Sequence, residues 1–237
     1  MDLKDVFVSV IIPAAGMGRR MNSSINKQFM PLYKKPVLAH TIEKFVKCDN
    51  VNEIIVVVRE DEINTCIDEV IKPYGLHKVK KIIAGGEERK DSVYNGLKEV
   101  CSQCRIILVH DGARPFVTED HINSSIIGSL NHGACVVGVP VKDTIKIINS
   151  CNDILDTPNR ETLWAVQTPQ TFSYNLLIKA HEESTNMGYS ATDDSMLVEK
   201  LGHTVKMIKG SYDNIKITTP EDLILGERIL EKIRNDY

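Results

Sequence analysis

The residues of this chain that could do chemistry are mostly cations: Arg20, Lys27, Arg114, Arg160 and Lys216. With them come one strand-end carboxylate, Asp111, and small or hydroxyl-bearing residues, Ala14, Ala15, Gly16, Ser92, Thr144, Thr168 and Thr192. The first stretch is the most telling. Val8, Val10, Ile11 and Ile12 form an apolar run that breaks at Pro13 into Ala14-Ala15-Gly16-Met17-Gly18-Arg19-Arg20, followed by Lys27-Gln28. A strand that ends in small residues lets a bulky anion approach backbone N–H groups, and long cations just beyond it can close over phosphate oxygens. This pattern reads as a nucleotide-phosphate site. It is neither of the familiar glycine fingerprints, because the third glycine of the dinucleotide motif is missing and no Gly-Lys-Ser/Thr follows.

No serine or cysteine stands with a histidine in a recognisable nucleophilic arrangement. Cations without a nucleophile point to transfer onto a substrate that is its own nucleophile. A phosphate monoester is one, largely dianionic at neutral pH because its second pKa is about 6. Attack of its oxygen on the α-phosphorus of a nucleoside triphosphate needs positioning, a divalent metal and charge stabilisation rather than a protein base.

Composition narrows the setting. At 237 residues, 42% hydrophobic and 26% charged, the chain can bury one sizeable core, so one domain over 1–237 is expected. A net charge of −3 and a pI near 6.2 argue against a general nucleic-acid surface and leave the local cations for a small ligand. No apolar run approaches the ~20 residues of a membrane span, and Met1-Asp2-Leu3-Lys4-Asp5 lacks a signal-peptide charge pattern, so a cytoplasmic protein is expected. The six cysteines are scattered. Cys101-x-x-Cys104 has no second ligand pair, and it ends a helical stretch rather than opening one, so ordinary thiols are expected. His110, inside an apolar strand, reads as a packed residue with a satisfied ring.

These groups need a frame. Strands are expected at Val6 to Pro13, Glu53 to Val58, Val79 to Ala84, Arg105 to His110 and Ala134 to Pro140. Helical patterns lie between them at Val37 to Cys48, Glu60 to Tyr74, Lys90 to Val100 and Glu119 to Leu130. Such alternation gives a Rossmann-like, doubly wound α/β fold with a mostly parallel sheet covered on both faces. Ligands bind such sheets outside the carboxyl ends of the strands, where Gly85-Gly86-Glu87-Glu88-Arg89 and Asp111-Gly112-Ala113-Arg114-Pro115 also fall. Beyond Pro140 the rhythm changes. Turn chemistry at Asn149 to Asp153 between two extended runs predicts a hairpin arm over about 141–160, whose isoleucines suit clasping a second subunit. Helices return at Tyr174 to Ser184 and Thr192 to Leu201, then a strand at Thr204 to Ile208, and Thr219, Pro220 and Asp222 start a last helix.

Taken in order, the motifs Ala14-Ala15-Gly16-x-Gly18-x-Arg20, Lys27-Gln28, Gly85-Gly86-x-x-Arg89-x-x-Ser92, His110-Asp111-Gly112-Ala113-Arg114-Pro115, Arg160, Gln167-Thr168-Pro169-Gln170, Thr192-Asp193-Asp194 and Asn214-Ile215-Lys216-Ile217-Thr218 resemble the 2-C-methyl-D-erythritol 4-phosphate cytidylyltransferases over nearly the whole chain. The resemblance implies transfer from CTP to methylerythritol phosphate in non-mevalonate isoprenoid synthesis. It also implies a homodimer with interlocking arms, and Mg²⁺ or another divalent cation bound mainly through the CTP phosphates. By position, Ala14, Ala15, Gly16, Gly85, Gly86, Glu87, Ser92, Asp111 and Gly112 would hold the nucleotide, with Arg20, Lys27, Arg160 and Lys216 catalytic. Arg114, Thr144, Thr168 and Thr192 would hold the acceptor, and no residue is assigned as a dedicated metal ligand. Thr144 and Arg160, on or beside the arm, would reach the neighbour's site. Asn26 stands where the family usually has proline, which would loosen the loop carrying Lys27.

Taken singly, these residues have plainer readings: Arg114 as a loop cap, Thr192 as a helix N-cap, Lys216 as a solvated strand residue. Three other functions compete with the resemblance: a ribitol-5-phosphate cytidylyltransferase, a nucleotide-binding module without catalysis, and an NAD enzyme. The last lacks an acidic ribose ligand after the second strand, where Val58 leads into Arg59.

Overall fold

Residues 3–16, 26–188 and 191–235 are described in the computed structural model. The first apolar run is β1 (Val8–Pro13), buried in all but its last residue. A two-residue turn with positive φ at Tyr33 and Lys34 joins the short strands β2 (Pro31–Leu32) and β3 (Lys35–Pro36). Helix α1 (Val37–Lys47) then buries Leu38, Thr41, Ile42 and Phe45, the three-and-four spacing of one helical face. Strand β4 (Glu53–Val58) is buried throughout.

The helix expected from Glu60 to Tyr74 is shorter and mixed. A 3₁₀ turn at Glu60–Glu62 leads into α2 (Ile63–Thr65) and a π-helical stretch at Cys66–Ile71. Pro73, which has no N–H, then ends it. Next come β5 (Val79–Ala84), α3 (Arg89–Glu99), β6 (Ile106–Val109), α4 (Glu119–His132) and β7 (Ala134–Pro140). Helix α4 is capped by the Thr118 hydroxyl, which accepts from His121 N–H, and stops at Gly133, whose φ of +79° suits glycine.

After β7 the arm leaves the body as β8 (Ile147–Ile148) and β9 (Ile154–Asp156), a separate two-stranded sheet shorter than the extended runs expected there. The chain returns as β10 (Trp164–Ser173), followed by α5 (Tyr174–Met187), α6 (Asp194–Lys200), β11 (Lys206–Lys209) and α7 (Pro220–Asn235). The sequence reading did not contain β10. Its cap reading also shifts by one residue, because Asp193 rather than Thr192 caps α6 through Met196 N–H. Asp222 does hold the start of α7, accepting from Thr218 and Thr219 N–H at 2.8 and 2.9 Å.

The central sheet has seven strands in the order β11-β7-β10-β6-β1-β4-β5. Only β10 runs antiparallel to its neighbours, β6 and β7. From β1 the chain winds out to β4 and β5, then crosses back to β6 on the other side of β1. The strand order thus reverses between β1 and β6, which opens a crevice at their carboxyl ends. Alternate residues of β1 feed two cores, Val8, Val10 and Ile12 packing with α1, and Ile11 with Val93 and Leu97 of α3. A third cluster seats Ile229 and Leu230 of α7 against Leu32, Phe116 and Ile217.

Candidate active site

The floor of the crevice is built by two turns that nearly touch. Ala14 N–H donates to Val57 O at 2.7 Å, so the sheet takes up the one group with which Ala14 could have greeted an anion, while Ala15 and Gly16 line the opening. Opposite them, Gly85 N–H donates to Val58 O. A Cβ on Gly85 would stand 2.7 Å from both Ala15 Cβ and Ser92 Oγ, so only glycine lets the two turns approach. The buried Ser92 hydroxyl holds the next residues, accepting from Gly86 N–H at 3.1 Å and donating to Glu88 O at 3.2 Å. Gly86, Glu87, Ser92, Gly112, Lys27 and Gln28 all line this recess. The Asn26 amide donates to the Glu62 carboxylate at 3.0 and 3.3 Å, a side-chain contact just before Lys27 that a proline could not make. Arg20 lies outside the described residues.

Asp111 is the electrostatic centre. Lys216 Nζ stands 2.7 Å from its Oδ2, Arg114 Nε 3.7 Å from the same oxygen, and Arg89 Nε 3.5 Å from Oδ1. Burial alone would raise the pKa of this carboxyl, but Arg89, Lys216 and Arg114 outweigh it and hold the group ionised far below the ordinary carboxylate range. Lys216 reaches this place because its neighbours are tied to the Asp111 loop: Ile217 N–H donates to Ala113 O at 2.8 Å, and Arg114 Nη1 donates to Asn214 O at 2.8 Å. It belongs to no strand of the sheet.

A second recess opens on the far side of Asp111, lined by Arg114, Gln167, Thr168, Thr192 and Asp193. Arg89, Asp111 and Lys216 border both recesses. Thr168 is brought there by β10, whose pairing with β7 slips between Val166 and Gln170 and so frees Gln167, Thr168 and Pro169 from the ladder. The Thr168 hydroxyl is committed inside the protein, accepting from Asp111 N–H at 3.1 Å and bonded to His110 Nδ1 at 3.0 Å. His110 is fully buried with both ring nitrogens partnered.

Thr144 and Arg160 line neither recess of their own chain. Thr144 is exposed on the arm, and Arg160, also exposed, braces the arm's root by donating from Nη1 to Lys142 O at 2.9 Å. Arg89 is the residue to which the sequence reading gave no role. Its signal, a lone arginine in the Gly85-Gly86 motif, acquires meaning only through Asp194, a partner 105 residues away. Among the described residues no three His, Cys, Asp or Glu side chains gather as a ready-made metal cage.

A family model described as 2-C-methyl-D-erythritol 4-phosphate cytidylyltransferase matches residues 8–232. The enzyme of that name from Alkaliphilus oremlandii (strain OhILAs) is 54% identical over 226 residues, covering 95% of this chain and 96% of its own. That from Clostridium botulinum (strain ATCC 19397 / Type A) is 53% identical over 225 residues, covering 95% and 98%. Among solved structures, the 4-diphosphocytidyl-2C-methyl-D-erythritol synthase of Anaerococcus prevotii DSM 20548 superposes with a TM-score of 0.85 at 32% identity, over 98% of this chain and 99% of its own.

Proposed function

Since the chain belongs to the 2-C-methyl-D-erythritol 4-phosphate cytidylyltransferase family, we propose that its two adjoining recesses hold the two substrates of that reaction, CTP on the β1–β5 side and the polyol phosphate on the β10 side. The enzyme transfers a cytidylyl group from CTP to 2-C-methyl-D-erythritol 4-phosphate for isoprenoid biosynthesis. An acceptor phosphate oxygen bonds to the α-phosphorus, the bond to the bridging β-phosphate oxygen breaks, and pyrophosphate departs. The observation that carries the placement is the shared border: Asp111, Arg89 and Lys216 face both recesses, so the reacting phosphates would meet there.

Each group has a physical task in this reading. Ala15, Gly16, Gly86 and Ser92 shape the nucleotide recess, with Gly85 setting its width. Lys27, with Arg20, meets charge that grows on the α-phosphate as the new bond forms. Lys216 and Arg114 aim the acceptor phosphate, and Thr192 stands at the mouth of its recess. A divalent cation such as Mg²⁺, held mainly by the triphosphate, would neutralise charge between the phosphates. Asp111, which lines the nucleotide recess, would be its protein oxygen donor, exchanging for the metal the Lys216 ammonium that now stands 2.7 Å from Oδ2.

The chain works as one nucleotidyltransferase domain in a cytoplasmic homodimer. Supporting the dimer, the arm holds Ile154 62% and Leu155 64% exposed, a surface that one protomer leaves uncovered. The partner's arm would bring its own Thr144 and Arg160 to the acceptor recess. No helix among the described residues is long and apolar enough to cross a membrane. The test is pyrophosphate release from purified protein with CTP, Mg²⁺ and either methylerythritol 4-phosphate or ribitol 5-phosphate. Faster turnover of the ribitol compound, or equal use of ATP, would overturn the substrate assignment.

A further inference from the structure

Arg89 begins α3, directly after the turn that walls the nucleotide recess, yet its guanidinium is held by a residue 105 positions further along the chain. Its Nη1 donates to Asp194 Oδ2 at 2.7 Å, and its Nε stands 3.5 Å from Asp111 Oδ1. Asp194 is completely buried at the start of α6 and touches neither recess. Its second oxygen stands 3.2 Å from His181 Nε2, and its N–H donates to Gln170 Oε1 at 3.1 Å. His181 in turn stacks on Tyr94 of α3, ring centroids 5.8 Å apart. A buried carboxylate so thoroughly fixed does not follow its partner. It fixes it.

We propose that Arg89 is a positioning residue for cytidylyl transfer: anchored by the buried Asp194, its planar fork holds the Asp111 carboxylate at the seam between the two recesses. Asp111 has flexible company in Lys216, whose ammonium on a four-carbon stem sets no direction. Arg114, clamped through Nη1 to Asn214 O, faces Oδ2 beside Lys216, whereas on the Oδ1 side the rigid group is Arg89, clamped at its far edge by Asp194, so that side of the Asp111 carboxylate is set through Arg89 by α6. Substituting a residue that orients a functional group typically costs about 10- to 100-fold in activity. Lysine is the informative substitution, since it keeps the charge and removes the planar fork.

This inference rests on the reading of the cleft as the cytidylyl-transfer site, and the experiment separates the two. Wild-type protein is assayed first with CTP and methylerythritol 4-phosphate, and no turnover there would defeat the site reading. Arg89→Lys, Asp194→Asn and the double variant follow, with kcat, both KM values and the thermal midpoint measured for each. Arg89→Lys should lose about 10- to 100-fold in kcat with less than about a threefold change in KM for CTP. Asp194→Asn, which changes no group in either recess, should lose kcat in the same way, and the double variant should be no worse than Arg89→Lys alone. Multiplying losses in the double variant, or full kcat in Asp194→Asn, would overturn the proposal. If Asp194→Asn fails to fold, Arg89→Lys decides alone, a kcat within about twofold of wild type overturning it.

Discussion

Thr168 and His110 are joined by a 3.0 Å hydrogen bond beneath the recess on the β10 side, and its direction can be worked out from what lies beyond. His110 Nε2 sits 3.0 Å from Arg114 O, a carbonyl that only accepts, so the ring carries its proton on Nε2. Nδ1 is therefore the acceptor, the Thr168 hydroxyl donates to it, and the same hydroxyl accepts from Asp111 N–H at 3.1 Å. One side chain thus fixes the backbone of the central carboxylate.

Thr168→Val keeps the shape and removes the hydroxyl, leaving a buried N–H and a buried ring nitrogen without their partner. Each orphaned group costs on the order of 1–3 kcal/mol. Urea unfolding should show a loss of that order, accompanied by reduced kcat, with Thr168→Ser close to wild type in both. A valine variant as stable and active as the serine one would remove Thr168 from the support of Asp111.

Burial of the same ring makes stability depend on pH, against the pull of its bond to Arg114 O. Burial pushes the His110 imidazole down to about 4 from its ordinary 6.5, so below pH 6.5 the unfolded chain takes up a proton that the native state refuses. Stability is therefore unaffected by this group above pH 6.5 and falls as pH drops from 6.5 toward 4, by roughly 3 kcal/mol in all at about 1.4 kcal/mol per pH unit. His40 and His121, also lowered by burial, add to the same slope. In His110→Gln an amide can donate and accept in place of the ring without titrating. Urea titrations at pH 7.5 and 5 should show a smaller loss in the variant than in the wild type. Equal losses would mean that His110 is not the source.

Lys27 belongs to the transition state in the proposed mechanism. Lys27→Ala should lower kcat by on the order of 10²- to 10³-fold while raising KM for CTP by much less. Arginine should rescue only in part, since a planar fork does not place its charge where a compact ammonium does. Steady-state kinetics with circular dichroism as the check on folding decides it. Near-normal kcat with a large rise in KM would reassign Lys27 to simple nucleotide binding.

Shortening the arm tests assembly. Removing residues 149–153 and closing the turn should give monomers by sedimentation and a loss of activity together, because Thr144 and Arg160 would no longer reach a partner's site. A shortened protein that remains dimeric and active would show that the exposed isoleucines serve something else.

The parallel half of the sheet was legible in the sequence because strands buried on both faces must be nearly continuous in Val and Ile, as β1 and β4 are. Strand β10 hid for the opposite reason. Its buried side chains include Gln167, Thr168, Gln170 and Thr171, tolerable inside only because distant groups satisfy them: Ser125 bonds Thr171 at 2.9 Å, and Gln170 Nε2 donates to Asp193 at 2.7 Å. Pro169, which ordinarily argues against a central strand, falls where the pairing with β7 slips. The site was legible as a set of motif residues, but not their division of labour. That Thr168 supports Asp111 from below, or that Asp194 holds Arg89, depends on contacts spanning 57 and 105 residues, which local spacing does not record.

The arm does not hang from the margin of the sheet. It emerges between β7 and β10, whose last pairing on that side is Trp164 with Pro140, and both strands have neighbours on their other flanks. A load on the arm is therefore taken by interior strands, and Thr168 lies four positions along β10 from Trp164. The same geometry separates two kinds of sequence change. Residues gained or lost beyond the Trp164–Pro140 pair shift no rung of the central ladder, so such changes bear on assembly while the sheet keeps its register. A single insertion between Trp164 and Thr168 would instead displace the hydroxyl under Asp111.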